Sequence, residues 1–169
     1  MCLDYRVLNK QTIKNWYPFP FAADFFDKLA KGKVFPKLDL WKGYYQVRII
    51  EGEEPKTTCV TRYGSFEFLV MLFGICNALT MFCMLMNDVM HLFLDKSFVV
   101  YLDDIVVFSE IMEEHKKHLA EVFKALRENQ LYLKRSKCVF GQSNIPFPDH
   151  WVGQGCIRME PRKVEAITD

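Results

Sequence analysis

The segment Phe98-Val-Val-Tyr-Leu-Asp-Asp-Ile-Val-Val-Phe108 sets two adjacent aspartates in the middle of an otherwise apolar, β-prone run. Neighbouring side chains on a straight strand point to opposite faces. One carboxylate would then enter an apolar layer, at a cost of several kcal/mol. A tight hairpin at Leu102–Asp104 avoids this by carrying both carboxylates to its tip. An ordinary Asp-rich turn would also explain the bend, but it does not require apolar strands on both sides. The alternative is a rigid hairpin that presents carboxylates to Mg2+, an ion that prefers carboxylate oxygens together with substrate phosphates. Two adjacent carboxylates rarely complete a two-metal site. Asp39, a lone acid in Val34-Phe-Pro-Lys-Leu-Asp-Leu40, is the candidate third ligand; a strand-edge aspartate is its other reading.

Charge along the chain is uneven although the net is only +1. Residues 1–60 carry ten Lys/Arg against seven Asp/Glu, residues 61–115 two against eight, and residues 116–169 ten against six. An acidic middle between basic flanks suits either a mosaic of solvated faces or a cation site serving a phosphate-bearing partner. With 169 residues, half of them hydrophobic, the chain suits one domain and excludes intrinsic disorder. The cysteines show no CxxC spacing and no secretory signal precedes them. They are expected to be reduced, mostly buried thiols of an intracellular, cytoplasmic protein. His115 and His118, in EEHKKH, are expected on a solvated helix face rather than on a metal. Phe68 to Met86 is uncharged over nineteen residues, near the lower limit for a membrane span. Gly74, Asn77 and Thr80 interrupt it and its flanks are acidic, so a buried turn leading into a core helix is expected and no transmembrane span.

The hydrophobic pattern predicts the following elements. Residues 1–10 read as a strand end, and Asn15 to Pro20 as a turn. Ala22 to Ala30 reads as a short helix ended by Gly32. Val34 to Leu40 and Tyr45 to Ile50 read as strands. Two strands flank Tyr63-Gly64. Leu79 to Leu94 is helical, and so is Glu113 to Asn129, with Leu119, Val122, Phe123 and Leu126 as its apolar stripe. Short strands follow, with a final helix after Pro161. This mixture implies an α+β layer of sheet and helix.

Several motifs in fixed order carry a resemblance: KLDLWKGYYQVRI around Asp39, TRYGSFEFLVM, MLFG at 71–74, YLDD at 101–104, EEHKKHL, and the closing RKVEAI. The chain resembles, nearly end to end, the reverse transcriptase domain of gypsy-class long-terminal-repeat retrotransposon Pol polyproteins. The resemblance implies a right-hand fold: fingers at about 1–13 and 47–77, and palm, an antiparallel sheet backed by helices, at about 14–46 and 78–160. It also implies the absence here of thumb, RNase H and integrase, and a Met1 that is internal to a longer frame.

By the same resemblance, Asp39, Asp103 and Asp104 hold two Mg2+ ions, with Mn2+ as a possible substitute. They catalyse transfer of dNTPs to a primer 3′-hydroxyl on an RNA or DNA template. Leu40, Trp41, Lys42, Gly43, Tyr44, Phe73 and Gly74 match the nucleotide site. The amides of Trp41 to Tyr44 would line the triphosphate, and the Tyr44 ring would exclude a 2′-hydroxyl. Asp4, Arg6, Tyr101, Leu102, Phe147, His150 and Trp151 match template and primer positions, and Lys137 a leaving-group contact. In an intact element the domain would be linked to protease, RNase H and integrase, within a cytoplasmic virus-like particle.

The chain departs from the pattern at Leu72 and Leu79, where the family has Pro, at Trp41, where it has Arg, and at Pro148 and Asp149 in the primer-grip stretch. These changes fit single-base transitions. They imply a second reading: a catalytically dead, decayed relic with at most weak nucleic-acid binding.

Overall fold

A computed structural model describes residues 3–17, 26–27, 29, 32–91, 97–101, 104–147, 150–153 and 155–159. The chain divides into two compact units, one from Met1–Pro18 and Lys42–Met86, the other from Phe19–Trp41 and Asn87–Asp169. Asp103, Leu102, Pro148, Asp149, most of the helix expected at Ala22–Ala30 and the helix expected after Pro161 lie outside the described residues.

In the first unit, the strand end expected at residues 1–10 is instead helix α1 (Arg6–Gln11). The cause is local. The Asp4 carboxylate accepts the Arg6 amide at 3.0 Å and turns the chain just before the helix. Thr12 closes it by donating both its amide and its hydroxyl to the Leu8 carbonyl. The strand expected at Tyr45–Ile50 is also absent. A 3-10 turn (Gly43–Gln46) takes its place, followed by a bridge between Arg48 and Val70. Lys42 enters that turn with φ 51°, so the backbone curls before it can extend. The hairpin of β2 (Cys59–Thr61) and β3 (Gly64–Phe66) forms where expected. The uncharged 68–86 stretch is broken by Gly74, at φ +99°, and becomes helical only in α2 (Ala78–Val89). Among the described residues no helix is long and apolar enough to cross a membrane.

The second unit is built on a four-stranded antiparallel sheet. Its strands are β1 (Phe35–Asp39), β4 (Phe98–Tyr101), β5 (Asp104–Val107) and β6 (Val139–Gln142), in the order β4-β5-β1-β6. A second sheet joins β7 (Asn144–Phe147), β8 (His150–Gly153) and β9 (Cys156–Met159). Register assigns the faces. Leu38 lies opposite Ile105, and Phe98 opposite Val107. All four are buried on one face. On the other face Phe35, Val99 and Val106 form a core with Leu29, Phe108, Ile145, Phe147 and Val152. Gly32 is required beside it, because a Cβ there would stand 2.7 Å from the Phe35 ring.

Helix α3 (Met112–Glu128) contacts β5, but its buried residues are His115, Val122, Ala125 and Leu126. The expected stripe is therefore rotated. Phe123 is partly exposed and packs edge-on against Phe140. His115, expected in solvent, is only 2% exposed. Its Nδ1 lies 3.2 Å from Ser109 Oγ, which is also 2.8 Å from His118 Nδ1. Ser109, two residues beyond β5, thus accommodates two imidazoles at the start of the helix. Among the described residues the cysteines are less buried than expected: Cys83 is buried, Cys59, Cys76 and Cys138 are half-buried, and Cys156 is exposed.

Candidate active site

Strand pairing settles where the acids go. Asp39 is the last residue of β1 and Asp104 the first of β5, and the register sets them directly opposite each other. Residues directly opposite in an antiparallel pair share a face, so both carboxylates project on one side of the sheet. Two like charges so placed are destabilising. Each is met by a lysine. Lys37 Nζ lies 2.7 Å from Asp104 Oδ2, and Lys137 Nζ 3.2 Å from Asp39 Oδ2.

The two lysines arrive by different routes. Lys37 shares the Asp39 face, two residues earlier on β1, and lies opposite Val106 and Val139. Asp104 is its diagonal neighbour across the strand pair, within reach of a long side chain. Lys137 ends the 3-10 turn (Arg135–Lys137) that leads into β6. Asp39 is itself fixed from behind, since its carbonyl accepts the Lys134 amide at 2.8 Å. Sequence reasoning missed Lys37. The signal was the Lys-x-Asp spacing of 37 and 39 on a strand, which puts both on one face.

The other expected site residues are distributed as follows. Leu40 pairs with Leu133, and its side chain is buried in the core. Trp41 is 57% exposed, and its amide is already donated to the Tyr132 carbonyl at 2.8 Å. In the first unit, Lys42 lies over the Tyr45 ring and Gly43 is buried. The Tyr44 ring meets Phe73 edge-on at 5.7 Å and Phe82 at 5.3 Å. Phe73 is 75% exposed, and the Gly74 carbonyl accepts Asn9 Nδ2 at 2.8 Å. Asp4 and Arg6, expected at the template, bond each other through three guanidinium contacts. The hydrogen bond from Arg6 holds the Asp4 carboxyl down at about 2.

In the second unit, Tyr101 pairs opposite Asp104. Phe147 is 2% exposed within the core and anchors the β7–β8 pair there. His150 packs against Phe26 at 4.9 Å, and Trp151 is exposed.

Residues 1–152 match the family described as reverse transcriptase (RNA-dependent DNA polymerase). The chain belongs to that family. It is 61% identical over 125 residues to an RNA-directed DNA polymerase homolog of Oenothera berteroana, covering 72% of this chain and 88% of that relative. It is 38% identical over 165 residues to the retrovirus-related Pol polyprotein from transposon 297 of Drosophila melanogaster. That match covers 98% of this chain but 16% of the polyprotein. Polyproteins of the transposons gypsy and Tf2-3 are similar as well. The fold matches a foamy viral protease-reverse transcriptase in complex with an RNA/DNA hybrid, with a TM-score of 0.88 at 21% identity. The match covers 99% of this chain and 23% of that one. The reverse transcriptase α+β fold, with its antiparallel sheets, is therefore present.

Proposed function

We propose that this reverse transcriptase domain is the palm and part of the fingers of an RNA-directed DNA polymerase. Fingers would comprise about 1–13 and 47–77, and palm about 14–46 and 78–160. The observation that carries the reading is the direct opposition of Asp39 and Asp104 on one sheet face, each held against an ammonium group. Hard carboxylate oxygens that already attract cations fit Mg2+ or Mn2+. Among the described residues the acidic set is this pair, and Asp103 would complete it. Two ions held there would lower the pKa of the primer 3′-hydroxyl and stabilise the leaving pyrophosphate.

The protein's own contribution is positioning. The sheet register fixes the distance between the two acids. Lys137 supplies positive charge beside Asp39, toward a leaving pyrophosphate. Tyr44, braced by Phe73 and Phe82, presents a ring that a deoxyribose would tolerate and a 2′-hydroxyl would not. An RNA or DNA template-primer, dNTPs, linkage to further Pol domains and a cytoplasmic particle belong to the same proposal.

A second reading has its own observation. Trp41 stands exposed where the family carries arginine, and it offers a triphosphate no charge. Primer extension on an RNA template with Mg2+ separates the two. Incorporation by the wild type that is lost in Asp39→Asn and Asp103→Asn supports the polymerase. Incorporation that persists in those variants overturns the metal role. A folded wild type with no incorporation is the decayed relic.

A further inference from the structure

We propose that Lys37 is the resident counter-cation of Asp104: a positioning residue that holds one oxygen of this carboxylate and competes with a divalent ion for it. The inference rests on the metal role proposed above for Asp39 and Asp104. It concerns a residue to which that role gives no part.

The two lysines of the site are not equivalent. Lys137 rises from a turn at the edge of the sheet, and its side chain is 58% exposed. It can rotate into water at little cost, so Asp39 is readily released to another cation. Lys37 stands on the central strand β1, level with Val106 on β5 and Val139 on β6. Its side chain is 22% exposed and that of Asp104 is 23% exposed. The apolar stem lies along the sheet between two valines while the ammonium reaches the acid. At 2.7 Å the contact has the length of a charge-assisted hydrogen bond. Such a pair, largely shielded from water, is screened far less than the Lys137–Asp39 pair.

The consequence for metal binding follows from charge. Lys37 occupies Asp104 Oδ2, which leaves Oδ1 as the oxygen to offer a metal. A fixed positive charge beside the ligand set also opposes a second cation. Lys37 therefore orients Asp104 and weakens its hold on a divalent ion, which favours exchange over tight capture. Removing Lys37 will then tighten metal binding. A purely structural role predicts the reverse, because a disordered carboxylate binds less.

Titration of the full chain with Mn2+, followed by electron paramagnetic resonance without nucleotide or primer, tests this. Lys37→Met keeps the stem between the valines and removes the charge. It is expected to lower the Mn2+ Kd roughly three- to tenfold. Lys37→Gln removes the same charge should the methionine disturb the sheet, and is expected to do likewise. Lys37→Arg should match the wild type, and Lys137→Gln should change Kd by less than about twofold. Asp39→Asn and Asp104→Asn should abolish the site. An unchanged or raised Kd in both Lys37→Met and Lys37→Gln, with the Asp variants still abolishing binding, overturns the role of Lys37 alone. Mn2+ binding that ignores the Asp variants overturns the metal reading, and the Lys37 role with it.

Discussion

Phe35 and Asp39 stand on the same face of the same strand, and their surroundings are opposite. Phe35 is sealed among Val99, Val106, Ile145, Phe147 and Val152. Asp39 faces another carboxylate, and each of the two is met by one ammonium group. Alternation alone puts both on this face. Position along the strand divides them, because Ile145, Phe147 and Val152 of the second sheet pack in the core with Phe35. The packed end holds the strands in register, and register is what aligns the charged end. An acidic pair at the end of a sheet therefore owes its geometry to a core several residues away.

The comparison can be broken at either end. Phe35→Ala should cost about 3–5 kcal/mol through lost packing and a residual cavity. In urea unfolding it should lower the midpoint of the second unit, and an unchanged midpoint would show that the core end is not what holds the register. Asp39→Asn should behave in the opposite way. Primer extension should fall roughly 10³-fold, about 4 kcal/mol in barrier, with a melting temperature close to the wild type. A collapse of stability there would erase the distinction between the two ends.

Away from β1 the effects shrink. Tyr44→Val should raise ribonucleotide relative to deoxyribonucleotide incorporation about tenfold, measured as the ratio of kcat/KM values. No change would remove Tyr44 as the sugar gate. The smallest effect is on pH dependence. Burial, and then the nearby His118, lower the His115 pKa. The unfolded chain thus binds a proton more readily than the folded one, and stability is lost as pH falls through and below about 6.5. The melting temperature should drop between pH 7 and pH 5, and His115→Gln should flatten that slope. An identical slope in the variant would move the effect to other groups.

Some of this was legible in the residue order. The β-prone runs on either side of the aspartates, the strand ending at Asp39, the β2–β3 hairpin and the two long helices follow from local pattern. Hydrophobic period and turn chemistry act over a few residues. The misreadings have local causes of another kind. A side chain bonding to nearby backbone turned residues 6–11 into a helix, and a left-handed Lys42 cut short the strand expected at 45–50. His115 was misjudged because charge in EEHKKH suggests solvent, whereas Ser109, met through the fold, makes burial tolerable.

The sequence by itself determined the family and the α+β class, because ordered motifs survive without any knowledge of packing. Only the tertiary structure decided that Asp39 faces Asp104 rather than an apolar neighbour, that Phe147 is core, and that Lys37 and Lys137 each claim one carboxylate. The reason is physical. Pairing register between strands more than sixty residues apart is set by long-range packing, and a shift of one residue would turn every one of these side chains to the other face.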